Sequence, residues 1–165
     1  MAAGLTYSSI ATYTATGSSN TITFSSVPQT YTDLVIAIDG TAPTSYPYFD
    51  IQFNTDTSGS STNYSFTRFI GFGTGAAYSD RYANFFSIEP SLGDTDRGSI
   101  IFHIQSYRNT NMLKTIMWRD GNKGAALCVG LWRNTAAIDT ITLKGGNGLN
   151  IPSGTNFTLY GIEAA

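Results

Sequence analysis

The stretch FNTDTSGSSTNYS, Phe53 to Ser65, carries side-chain oxygens at Asn54, Asp56 and Ser58, with Gly59 next. That is the opening cadence of a calcium loop, in which alternate positions supply ligands and a glycine permits the sharp turn. A loop of the helical-hand type also needs a bidentate Glu at its twelfth position, which here is Ser65 when counted from Asn54. Asp56 is the single carboxylate in the stretch. Asn, Asp, Ser and Gly are also the residues that satisfy the backbone of turns. The stretch is therefore expected to turn one strand into the next rather than to hold an ion.

The other reactive side chains are few. His103 is the one histidine, set in IIFHIQ out of phase with Ile100, Phe102 and Ile104. A Ser–His–Asp device would have to use it, and the G-x-S-x-G elbow is missing. A zinc site built from several His and Cys is excluded by count. Asp94 and Asp96 in GDTDRG, with Glu89 before Pro90, are the carboxylates that paired glycoside hydrolysis would require. Neither aspartate has the apolar setting that raises an acid's pKa, so a solvated turn balanced by Arg97 is expected. Cys128, in ALCVG, reads as a small buried hydrophobe and can form no internal disulfide alone. GFGTG, Gly71 to Gly75, leads into no helix and so makes no phosphate cradle. Asn63 and Asn156 open glycosylation triplets, which arise often by chance in a chain this rich in Asn, Ser and Thr. The sequence thus calls for no cofactor, no metal and no catalytic residue.

The composition says what must position these groups. The chain has 165 residues, enough for one domain with a real core. It is 41% hydrophobic and 13% aromatic but only 12% charged, against a usual charged share of about 25%. Its polar surface must come from Ser, Thr, Asn and Gly, the balance of an all-β protein. A net charge of -2 and a pI of about 5.1, without basic runs, argue against nucleic acid as a partner. The N-terminus lacks the blocks of a signal peptide, and no apolar run reaches membrane-span length, so no membrane partner and synthesis in a cytoplasm are expected.

Short alternating segments recur between turn-rich breaks. LTYSSIATYT is polar and rich in β-formers, an edge strand or an arm lying on a neighbour. TITF, FDIQFN, SFTRFIGFG, NFFSIEP, SIIFHIQSY, LKTIMW, ALCVGLW, DTITL and FTLYGIE read as strands, and DLVIAID as a central strand buried on both faces. GTAPTSYPY and GTGAAYSDRY read as loops. The expected fold is all-β: an antiparallel two-sheet β-sandwich, jelly-roll-like, of about ten strands. Residues 1–20 would be an N-terminal arm or edge strand and 21–165 a single sandwich domain. Tyr46, Tyr48, Tyr64, Tyr78 and Tyr82 then fall in loops or at loop edges, where they either cap the sandwich or make contacts.

Three phrases carry a resemblance: SSVPQTYTDLVIAID (Ser25 to Asp39), IQFNTDTSGSSTNYSFTRFIGFGTG (Ile51 to Gly75) and VGLWRNTAAIDTITLKGGNGLNIPSGTNFTLYGI (Val129 to Ile162). In that order they resemble a family of tailed-phage virion proteins found as head decoration, or cement, proteins and in tail-fibre or receptor-binding tips. The resemblance runs from Thr21 to Ile162, with GLWRNTAAIDTITL and GTNFTLYGI its most distinctive parts. It implies a β-sandwich on a virus particle, often a homotrimer, with no catalytic residue to carry over. The short stretch before Thr21 favours the head over a fibre tip. The expectation is a decoration protein on the outer capsid surface, bound to the major capsid protein and stabilising the shell. Its candidate contacts are Leu5, Tyr7, Ile10, Tyr13, Tyr46, Tyr48, Tyr78 and Tyr82. The alternative is a tip that recognises a host surface glycan through Ala42 to Tyr48 and Ala76 to Tyr82.

Overall fold

The computed structural model describes residues 6–56, 62–71, 75–85, 91–93, 95–120 and 125–163, with the backbone alone at 84, 85 and 120. Among the described residues eleven strands form: β1 (Tyr7–Thr14), β2 (Thr21–Phe24), β3 (Asp33–Gly40), β4 (Phe49–Phe53), β5 (Tyr64–Gly71), β6 (Tyr78–Phe85), β7 (Gly98–Ile104), β8 (Lys114–Asp120), β9 (Ala125–Trp132), β10 (Ile141–Gly145) and β11 (Asn156–Ile162). One 3-10 turn, Gly146–Gly148, follows β10. The strands make two antiparallel sheets, one of eight in the order β1-β11-β3-β7-β8-β9-β5-β6 and one of three in the order β2-β10-β4. The all-β sandwich is as expected, with one strand more.

Period-2 alternation explains why these segments pack as sheets. In β7, Ile100, Phe102 and Ile104 are buried while Ile101 is exposed and His103 half-buried. In β11, Phe157, Leu159 and Gly161 point inward. Ile22, Phe24, Phe49, Ile51, Phe53, Ile141 and Leu143 of the small sheet close over that inner face. Each such side chain contributes about 1.5–3 kcal/mol when fully buried. Aromatic edges lock the layers: Phe49 meets Phe157 at 5.4 Å between ring centroids, and Phe53 meets Trp132 at 5.4 Å.

Two local readings change. Tyr78 and Tyr82, expected in a loop, lie on β6, a full strand paired to β5 from Tyr78 opposite Ile70 to Phe85 opposite Tyr64. Tyr64, grouped above with the loop tyrosines, is fully buried in β5. LTYSSIATYT supplies β1, which pairs with β11 from Tyr7 opposite Ile162 to Thr14 opposite Asn156, with a bulge between Ser9 and Ala11. Leu5, Ser58, Gly59, Glu89 and Asp94 and residues 72–74 of the glycine-rich run lie outside the described residues.

The end of β10 tolerates no side chain. A Cβ on Gly145 would stand 2.1 Å from the Leu149 carbonyl oxygen and 3.1 Å from the Pro43 ring, and a backbone oxygen cannot rotate aside. A Cβ on Gly71 at the end of β5 would meet nothing within 4 Å. Gly145→Ala is therefore expected to lower unfolding free energy by about 1–3 kcal/mol or more, and Gly71→Ala by less than about 0.5 kcal/mol. Urea unfolding of the two variants against the parent chain checks this; equal midpoints would contradict the packing at Gly145.

Candidate functional site

Asn54 and Asp56, from the stretch with the calcium cadence, tie parts of the sandwich to one another. Trp132 Nε1 donates to Asp56 Oδ2 at 2.8 Å, and Asn63 Nδ2 donates to the same oxygen at 3.0 Å. The Tyr64 hydroxyl donates to the Asp56 carbonyl at 3.1 Å and accepts from the Phe53 N–H at 2.8 Å. Burial pushes that hydroxyl's pKa well above the usual tyrosine range. Asn54 sits at φ 52°, a left-handed conformation that Asn tolerates. Its Oδ1 accepts from the backbone of Asp139 at 3.0 Å and Thr140 at 3.3 Å, while Nδ2 donates to the Ala137 carbonyl at 2.8 Å. Two of the three would-be ligands thus serve as cross-ties between β4, β5, β9 and the segment before β10.

His103, Arg97 and Lys114 are also engaged in the fold. His103 Nε2 lies 2.9 Å from Asp33 Oδ2, and Asp33 Oδ1 accepts from the Ser106 N–H at 2.7 Å. Its partner is thus an acid that also holds the turn after β7. Arg97 pairs with Asp39 of β3 at 2.8 Å and donates to the Gly154 carbonyl, a long-range tie that the local sequence GDTDRG does not contain. Asp96 is exposed. Lys114 is fully buried, and its Nζ donates to the carbonyls of Asn109 (2.5 Å), Met112 (2.9 Å) and Thr135 (3.0 Å). Desolvation pushes its pKa down, and the three carbonyl dipoles offset that cost. Cys128 is buried on the inner face. Among the described residues, no three His, Cys, Asp or Glu side chains gather as metal ligands.

The tyrosines proposed as contacts occupy separate places. Tyr7, exposed on β1, meets Tyr160 edge-on at 6.2 Å. Ile10 and Tyr13 line a hollow of about 210 Å³ between β1 and β2, floored by Phe24, Val27 and Leu159. Tyr46, exposed, meets Tyr48 edge-on at 6.2 Å in the loop before β4. Tyr82 is half-buried on the inner side of β6, its ring stacked on Phe66 at 4.7 Å. Beside it, Arg68 binds Asp80 in a two-pronged pair (3.0 and 2.7 Å) and donates to the Tyr82 hydroxyl at 2.9 Å. Tyr78 stands exposed at the end of that row.

A different surface carries a group of exposed apolar side chains. The registers place Ile101 (β7), Met117 (β8), Leu127 and Val129 (β9) and Phe69 (β5) side by side on the outer face of the large sheet. They are 37% to 60% exposed, well beyond burial, although strands of this composition ordinarily hide both faces. Arg119 lies between Ile101 and Leu127 in the same transverse row. Next to them is a hollow of about 210 Å³ lined by Ser65, Thr67, Thr115, Val129 and Leu131, with Arg81 at its side. The sequence reading missed this face. Its signal was present: ALCVGLW is apolar at successive positions, and a sandwich can bury only one face of an outer strand.

No protein-family model matches the chain, and no curated protein sequence does. Several solved structures align with it at low identity. A galectin from Caenorhabditis elegans aligns at 11% identity over 93% of this chain and 96% of its own, with a TM-score of 0.39. A homodimeric agglutinin from chicken liver aligns at 12% identity over 84% of this chain and 98% of its own, with a TM-score of 0.41. An exo-inulinase from Aspergillus awamori aligns at 15% identity over 96% of this chain but 29% of its own, with a TM-score of 0.42.

Asp56→Ala leaves the Trp132 N–H without its acceptor and is expected to cost about 1–3 kcal/mol, whereas Asp56→Asn keeps an acceptor oxygen and costs less. Calcium at about 1 mM, enough for even a weak site, is expected to leave the parent Tm unchanged in a thermal scan. A calcium-dependent rise lost in Asp56→Asn would restore the ion-site reading. The hydrogen bonds from Arg68 hold the Asp80 carboxyl below the usual range. The unfolded carboxyl titrates near about pH 3.9, so the pair's contribution is present above that pH and fades as pH falls through it toward the lower folded value. The stability difference between the parent and Asp80→Asn should therefore be widest near neutrality and shrink below about pH 4 in denaturant titrations.

Proposed function

We propose that this chain is a structural, non-enzymatic virion protein: a decoration protein that binds the outer face of a phage head as a homotrimer and stabilises the shell. The observation that carries the binding part of this reading is the outer sheet face, with five large side chains held exposed by a rigid eight-stranded scaffold. Monomers seldom leave such groups contiguous, and a patch of this kind marks a contact surface. The virion part rests on the sequence phrases that resemble phage decoration proteins. The engagement of His103, Asp33, Asp56, Asp80 and Lys114 in structural ties accords with a protein that works through surfaces. In this reading the mechanism is mechanical. A trimer set where capsomers meet bridges neighbouring shell subunits, and each added contact multiplies the others through effective concentration. Tyr7, Ile10 and Tyr13 on the edge strand β1, with the Tyr46–Tyr48 loop, are further candidate contacts with the shell.

A second reading keeps a specific observation behind it. Tyr78 is exposed beside the stacked Phe66–Tyr82 pair and the planar Arg68–Asp80 pair, and an aromatic ring next to a planar ionic group can hold a sugar. This would suit a tail tip that recognises a host glycan.

The decisive experiment places the protein in the particle. Heads prepared without it are expected to empty or burst at lower temperature than complete heads, and adding the purified protein back should restore resistance. Density for the protein at the threefold positions of the lattice, in hundreds of copies, is expected by cryo-electron microscopy. Equal heat resistance with and without it, or a handful of copies confined to the tail with binding on a glycan array, would replace the first reading by the second.

A further inference from the structure

We infer that the outer face of β7, β8, β9 and β5 is the side turned toward the shell, and that it docks a protein surface of stated chemistry: an apolar patch bearing carboxylates. This rests on the decoration reading above and names the partner surface for it. The argument is one of charge. Arg119 and Arg81 are the two charged side chains at outward positions of β8, β9, β5 and β6 among the described residues. Arg119 stands in the apolar row between Ile101 and Leu127. Arg81 opens onto the hollow formed by Thr67, Thr115, Val129 and Leu131. Arg133 adds a third cation near its floor, with Nη1 donating to Ser65 Oγ at 2.9 Å. An aliphatic field with planar cations in it is the composition of an interface centre.

A second copy of this chain fits the face poorly. Among the described residues, the acids at outward strand positions of this sheet are Asp33 and Asp39 on β3. Asp39 is held by Arg97 at 2.8 Å, and Asp33 by His103 and the Ser106 N–H. Face-to-face pairing of two copies would set Arg119 against apolar side chains or against acids that already have partners. Burying a cation without a counter-charge is costly, so self-association here is disfavoured while an acidic, apolar partner is matched. The neutral lining of the hollow, Thr67 and Thr115 beside Val129 and Leu131, suits an inserted side chain that ends in a carboxylate facing Arg81.

The test uses full-length protein added back to heads of the parent phage that lack it. Three proteins are compared: the parent, Leu127→Asp, and the double variant Arg81→Glu with Arg119→Glu. Thermal unfolding checks the fold of each, and sedimentation checks the oligomeric state. The expected result is an unchanged Tm and oligomer for all three, with head binding weakened about tenfold or more in both variants. Parent binding should also weaken as salt rises, and the salt dependence should flatten in the double variant. Parent and variants binding heads alike overturns this inference and leaves the decoration reading in place. Variants that lose the oligomer while folding normally show the face to be a self-contact, which also overturns it. Failure of the parent to bind heads at all overturns the reading of function and this inference with it.

Discussion

The constraint behind this structure is a mismatch of widths. Eight strands spaced about 4.8 Å apart span roughly 34 Å, and three strands span roughly 10 Å, so the small sheet covers only part of the large one. The inner face is completed by aromatic side chains lying on the sheet itself. Trp118 stacks on Phe102 at 5.6 Å and meets Phe66 at 5.8 Å, and Tyr82 stacks on Phe66 at 4.7 Å. Arg68 then caps this row, its guanidinium 4.9 Å from the Tyr82 ring centre while Asp80 neutralises its charge. A cation seated on a ring and paired with a carboxylate keeps the flank of the large sheet ordered beyond the edge of the small one.

The same mismatch sets the chemistry. A chain with only 12% charged residues has few side chains for long-range ties, and several of those seen here cross a large distance in sequence. Asp33 reaches His103, Asp39 reaches Arg97 and Asp56 reaches Trp132. Tyr107 donates its hydroxyl to the Pro28 carbonyl, and Lys114 joins the Asn109–Met112 turn to Thr135. These are loop-to-strand fastenings in a fold whose loops join different sheets. Groups that resemble catalytic or metal-binding components in one dimension are, in three, the hydrogen-bonding partners of backbone that a sheet ladder cannot satisfy.

How much of this was legible depends on where the information lies. β11 was readable because its alternation is strict over seven residues, and β7 because Ile100, Phe102 and Ile104 recur at every second position and are all buried. β3 was readable as central because Val35 is buried on the outer side as well as Leu34 and Ile36 on the inner. β6 was not, because SDRY is locally a turn sequence. What makes it a strand is the partner: Arg68 opposite Asp80 and Phe66 opposite Tyr82, pairings written in β5. Tyr64 was misplaced for the same reason, since its burial is set by Phe53 and Trp132, both distant in the chain. Leu127 and Val129 look like core in one dimension, and only the sheet order shows that no layer lies above them.

That last point bears on how such a molecule binds. An apolar row on a loop would collapse onto the body of the protein, because a loop can bend to hide it. The same row on the middle of an eight-stranded sheet cannot, since the ladder fixes every outward position and turning one strand by a residue would expose the core. Exposure there is enforced by the hydrogen bonds that build the sheet. Little ordering entropy remains to be lost when a partner arrives, because Met117, Val129 and Leu127 already stand in register on adjacent strands. The polar, tyrosine-bearing edges offer adaptable contacts, and the broad face offers a stiff one. A pre-ordered surface of this kind loses less entropy on contact than one that must first be fixed in place.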